Sequence, residues 1–168
     1  REVFEKTGGF PAVQFANAKA AGEDIELSIQ IRKLGFSVKL MDKAFVYHKR
    51  RTNLKQFFKQ PYNFGYARVS LFKRNRGALK IVHALPSLFT IGVFLLLLVS
   101  ISISVYFIMP ILVFTILLFI DSTIKNKNIF IGMLATIAGY IQLIGYGSGF
   151  IIAFWNQILL GKQIDYST

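Results

Sequence analysis

Two stretches without formal charge constrain this chain more than any other feature. Forty residues separate Lys80 from Asp121, and another 34 separate Lys127 from Lys162, with no charged side chain in either run. A helix crosses about 30 Å of hydrocarbon in about 20 residues, so an apolar run beyond about 18 reads as membrane-spanning. The first run, "HALPSLFTIGVFLLLLVSISISVYFIMPILVFTILLFID", is too long for one span. It predicts two short helices, about 86–102 and 104–120, with Ser100, Ser102 and Ser104 marking the turn and Pro110 early in the second helix. A single long tilted helix is the weaker alternative. The second run predicts a third segment at about 129–155, either a span or an interfacial or re-entrant helix. Its glycines let helix backbones approach closely, and Gly145 and Gly149 form a GxxxG pair, whereas the cluster "GYGSG" would equally break a helix.

The remainder is different in kind. Residues 1–80 hold 17 of the 20 basic residues and 6 of the 8 acidic ones, within a formal net charge of +12 and beside a mean hydropathy of +0.50. That combination divides the chain into a polar module, residues 1 to about 80, and a hydrophobic module, 81–168. Lys73, Arg74, Arg76 and Lys80 precede the first span, Lys125 and Lys127 follow the second, and the link between the spans is uncharged. The positive-inside rule then places the polar module and the 121–128 loop in the cytoplasm. There are no cysteines, which excludes disulfides and thiolate metal sites. The chain opens at Arg1 on residues that read as mid-domain, and a fragment of a longer protein is expected.

Within the polar module, Glu23, Asp24 and Glu26 fall inside four positions of "AAGEDIELSIQIRKLGF". A helix from about Asp24 to Leu34 is predicted. Leu27, Ile31 and Leu34 form an apolar stripe, Arg32 and Lys33 occupy the last turn, and Gly35 is placed to end it. Carboxylates in a first turn complement the helix dipole, and Asp24 is a candidate N-cap. Downstream, "FSVKLMDKAFVYHKRR" predicts a strand, a turn near Asp42–Lys43 and a second short strand ending at His48. Thr52 is a plausible cap for a helix running towards Gln60. From Lys49 to Lys80 there are ten basic residues and no acid.

The order "GGF", "GED", a helix ending in "LGF", "VYHKRR", then "KQPYNFGYAR" and membrane helices resembles the C-terminal part of membrane-attached family-2 glycosyltransferases. These are inverting enzymes that use nucleotide-activated sugars. The motifs cover roughly residues 1–80, and the remainder is matched only by its pattern of hydrophobic segments. The resemblance implies an α/β fold for the polar module, a remnant of a Rossmann-like nucleotide-sugar transferase domain, followed by two to three transmembrane helices.

The resemblance also implies roles. Asp24 matches the general base that removes the proton from the acceptor hydroxyl, and Glu23 beside it shapes the local field. Glu26 is expected to support the helix or pair with a base. Gly8 and Gly9 match a loop that lets backbone approach donor or acceptor, with an ordinary turn equally open. Lys49, Arg50 and Arg51 suit a leaving nucleoside diphosphate, and anionic headgroups as well. His48 sits where some relatives place a histidine near the diphosphate or its metal. Gln60 and Arg68 occupy the place of the Q-x-x-R-W signature of processive relatives. Their spacing differs, and the only tryptophan is Trp155, which favours transfer of one or a few sugars. A divalent metal, Mg or Mn, is implied, held mainly by an N-terminal part. No D-x-D occurs in this sequence, so the chain alone is expected to be inactive. The implied partners are a nucleotide-sugar donor, a lipid-linked or glycan acceptor and membrane lipid, and the implied location is the bacterial inner membrane.

Two rival readings remain. A non-catalytic membrane anchor with a basic lipid-binding segment explains the charge and the spans, but leaves the acid cluster as an accident. Nucleic-acid binding has basic–aromatic interleaving in its favour. The adjacent spans make anionic lipid the simpler partner for that charge, so no nucleic acid is expected. The aromatics Phe57, Phe58, Tyr62, Phe64 and Tyr66 are read as one face of an amphipathic helix at the membrane surface, with stacking on an acceptor as the alternative.

Overall fold

In the computed structural model, residues 2–9, 22–47 and 53–162 are described. They form six α-helices: α1 (Glu2–Lys6), α2 (Glu23–Lys33), α3 (Leu54–Arg74), α4 (Leu85–Ser102), α5 (Met109–Asn126) and α6 (Ile129–Phe154). A π-helical turn, Trp155–Leu159, continues α6. Three segments, Ile81–Ser102, Val105–Asn126 and Ile129–Leu159, are long and apolar enough to cross a membrane, as an integral membrane protein requires.

The expected α/β remnant is not found among the described residues. Among the described residues no strand occurs, and "FSVKLMDKAFVY" is irregular chain around a turn at Asp42–Lys43. The turn falls where the sequence placed it, closed by Ala44 N–H donating to the Met41 carbonyl. The flanking segments alternate as strands do, but Leu40, Val46 and Tyr47 are 87%, 87% and 96% exposed. Alternation yields a strand only where a sheet receives the apolar side, and an isolated hairpin is marginal in water. The described residues offer it no such surface.

The helix boundaries follow local chemistry. Gly22, not Asp24, is the N-cap of α2; its φ of 90° and its contact with Leu71 and Ala67 suit a residue without Cβ. Asp24 sits in the first turn instead. Gly35 (φ 82°) ends the helix as expected, with Phe36 N–H reaching back to the Ile31 carbonyl. For α3 the cap is Asn53, whose side chain accepts from Lys55 N–H at 2.8 Å, and the helix runs through Pro61 to Arg74, well beyond Gln60. Helix α4 ends at the serine cluster, and a 3₁₀ turn (Val105–Ile108) leads into α5 with Pro110 in its first turn. The "GYGSG" cluster does not break α6, because each of its glycines is taken up by packing.

That packing organises the hydrophobic half. A Cβ on Gly65 of α3 would overlap the Tyr146 carbonyl, and one on Gly149 would overlap the Tyr62 carbonyl. Gly145 lies 3.1 Å from the Phe58 carbonyl by the same measure. So α3 and the second half of α6 touch backbone to backbone. Around this seam Val69, Phe150 and Ala153 form a buried cluster, with Leu79, Ala84 and Tyr146 packed on it. On its other sides α6 uses Gly132 and Gly139 against Thr123 and Leu118 of α5, and Gly147 against Pro86 and Thr90 of α4. Between lipid-facing helices the hydrophobic effect supplies no net attraction, so close van der Waals contact and hydrogen bonds hold the bundle. The hydrogen bond between Thr115 and the Tyr140 hydroxyl, 2.7 Å, is one of these. Helices α4 and α5 are consecutive, joined by the short 3₁₀ turn, with the rings of Phe89 and Phe114 5.0 Å apart.

Candidate functional site

The acid cluster divides by position on α2. Glu26 faces α3 and is buried, its carboxylate 2.6 Å from Arg74 Nη1. This ion pair fixes which face of α2 is turned inward, together with Leu27, the one member of the predicted stripe that is buried. Lys33 Nζ adds a second tie, donating to the Asn75 side chain. Asp24 lies two residues before Glu26, about 200° round the helix, and is exposed. Glu23 is half-buried beside it.

Asp24 stands at the edge of a cleft of about 250 Å³ between α2, α3 and α6. Ile25 extends the α2 wall. Phe64, Ala67, Arg68 and Leu71 form the α3 wall, since positions three, four and seven apart share one helix face. Tyr146 of α6 closes the far side, with its phenol near the Arg68 guanidinium. The cleft therefore presents one carboxylate, one guanidinium and one phenol on otherwise apolar walls. Such a set can accept a proton from a hydroxyl, hold an anionic oxygen and receive an apolar group at the same time.

Of the predicted site residues, Asp24 and Arg68 are brought together. Gln60 is two turns before Arg68 on α3, about 12 Å along the helix axis, and does not line the cleft. Gly8 and Gly9 close α1, their N–H groups returning to the carbonyls of Glu5 and Phe4, and no described contact carries them to the cleft. His48, Lys49, Arg50 and Arg51 lie outside the described residues, as does Thr52. Tyr146 was missed. The signal available was a tyrosine within a glycine-rich apolar segment, where a hydroxyl needs a polar partner and the glycines bring another helix close enough to supply one.

The divalent metal implied by the resemblance is expected mainly from an N-terminal part, and His48, its candidate ligand here, lies outside the described residues. Among the described residues no three His, Asp or Glu side chains converge, and His83 Nδ1 already accepts from Lys80 N–H at 3.0 Å. No step is assigned to a metal here. Near the cleft, burial, and secondarily the adjacent Tyr66, push the Tyr62 phenol above its usual 10.0.

No family model, curated protein or solved structure matches this chain.

Proposed function

We propose that this chain supplies the acceptor-side base and the membrane attachment of an inverting family-2 glycosyltransferase. The reaction is transfer of a sugar from a nucleotide-sugar donor to a lipid-linked or polysaccharide acceptor at the cytoplasmic face of a bacterial inner membrane. The observation that carries the reading is the division of the acid cluster. Glu26 is consumed by its pair with Arg74, whereas Asp24 is left exposed at the edge of a cleft that also holds Arg68. A sugar hydroxyl is a weak nucleophile, and a carboxylate that takes its proton during attack on the anomeric carbon contributes about 10²–10⁴-fold. Arg68 is suited to hold an anionic oxygen of donor or acceptor beside that carboxylate.

The test is Asp24→Asn in the complete enzyme, assayed by transfer of radiolabelled sugar to membrane acceptors. A loss of at least about a hundredfold in turnover, with membrane insertion unchanged, is expected. Turnover within a few-fold of the parent would overturn the assignment. The anchor reading would then take its place, supported by the exposed Lys73, Arg76 and Lys80 ahead of α4.

A further inference from the structure

We infer that α6, although long enough to cross a bilayer, does not cross it. It lies obliquely in one leaflet, with both ends on the side of the polar module, and only α4 and α5 span. The surface it presents with α3 is then a platform seated in the headgroup region of that leaflet.

The inference follows from what each part of α6 touches. Its start is fixed beside the charged end of α5. Asn128 caps it, and Gly132 packs on Thr123, between Asp121 and Lys125. Tyr140 marks the deepest contact, its ring packing on Phe114 and Phe89 at 5.7 and 6.0 Å. Its hydroxyl also reaches the Ile111 carbonyl at 3.4 Å. Ile111 is ten residues from Asp121, about 15 Å along α5, which is about the depth of one leaflet. Beyond Tyr140 the contacts turn back outward. Leu143 and Gly147 meet Thr90 and Pro86 in the first two turns of α4. Phe150 and Ala153 pack with Ala84 and Leu79, which precede α4. Gln157 donates to Ser70 at 2.9 Å, and the Lys162 carbonyl accepts from Lys73 Nζ at 3.1 Å. Lys73 belongs to the basic run Lys73–Lys80 that leads into α4.

With α4 and α5 as consecutive spans joined by a short link, the start of α4 and the end of α5 share one face of the membrane. The first residues of α6 are tied to the end of α5 and the last to the approach to α4. Both ends of α6 are therefore on that face. A helix of 31 residues, about 46 Å with its π-helical turn, fits that requirement only when strongly inclined. Apolar side chains remain exposed along its length, among them Phe130, Leu134, Ile152, Trp155 and Leu159, and they continue the uncovered faces of α4 and α5. A tryptophan near an end of such a helix suits the boundary between chains and headgroups. The adjoining Lys73, Arg76 and Lys80 meet anionic lipid.

The chain has no cysteine, so once any cysteine elsewhere in the complete protein is replaced by serine, each introduced thiol is unique. In the complete protein, Arg76→Cys, Ser104→Cys, Lys127→Cys and Lys162→Cys are each probed with a membrane-impermeant maleimide, in intact cells and in inverted vesicles. Arg76→Cys, Lys127→Cys and Lys162→Cys are expected to react from one side and Ser104→Cys from the other. Reaction of Lys162→Cys from the Ser104 side, or from neither side, would overturn the inference. Its failure is independent of the Asp24 assay, since α6 can cross or lie flat whatever Asp24 does.

Discussion

Glu26 places a carboxylate oxygen 2.6 Å from Arg74 across the α2–α3 contact, with only 9% of its side chain exposed. Position 26 therefore works as a fastening, and it sets the direction in which Asp24 points.

Glu26→Ala is expected to weaken the docking of α2 by about 2–3 kcal/mol. That lies at or below the low end for removing one partner of a buried pair, because Arg74 keeps 23% of its side chain exposed. Hydrogen exchange of the α2 amides should accelerate about thirty- to a hundred-and-fortyfold while α5 is unaffected. Unchanged exchange in α2 would show that Leu27 and the Lys33–Asn75 contact suffice.

Gly149→Leu should force α3 from α6, since even a Cβ at this position overlaps the Tyr62 carbonyl. A cost of about 1–3 kcal/mol or more is expected, measured as a drop in the thermal midpoint in detergent. Gly92→Ala is the control. Its Cβ meets nothing within 4 Å, and alanine is the better helix former by about 1 kcal/mol. A larger loss at position 92 than at 149 would contradict the seam.

Tyr140→Phe removes the hydrogen bond to Thr115 and leaves the ring between Phe89 and Phe114. Hydrogen bonds between membrane helices average about 0.6 kcal/mol, so the effect should be small. Steric-trapping unfolding in bicelles measures it, and a cost several times larger would mean that the phenol carries a network.

The raised Tyr62 pKa gives an alkaline dependence of definite sign. The neutral phenol is favoured in the folded state, so its contribution is fully present below the ordinary value of 10.0. It is lost as pH rises through 10 towards the folded value. Tyr62→Phe should flatten the fall in stability above pH 10. An unchanged alkaline profile would place the cause in another tyrosine.

The hydrophobic half was largely legible because charge-free length marks long apolar helices, although it does not say which of them span. Pro110 and the serine cluster fell where helix ends are expected, and Gly35 ended α2 as foreseen. Local chemistry misled where two residues competed for one role. Asp24 looks like an N-cap, but Gly22 fits the close approach to Leu71 and takes the position. Thr52 and Asn53 compete in the same way, and Asn53 holds the cap. Alternation in 36–47 suggested strands, yet pairing is a tertiary event that no single segment determines. The cleft was legible in half: Asp24 and Arg68 carry their chemistry in their names, whereas Tyr146 joins them only because two helix backbones meet at Gly65 and Gly149.

That meeting of backbones has a consequence for assembly. Side chains that interlock must give up rotamers when they dock, at up to about 2 kcal/mol for the longest, whereas glycine gives up none. The seam between α3 and α6 therefore freezes few torsions as it closes. A late docking step, after the α4–α5 pair is in place, carries little entropic penalty, and the same economy leaves positions 65, 145 and 149 almost no tolerance for larger residues.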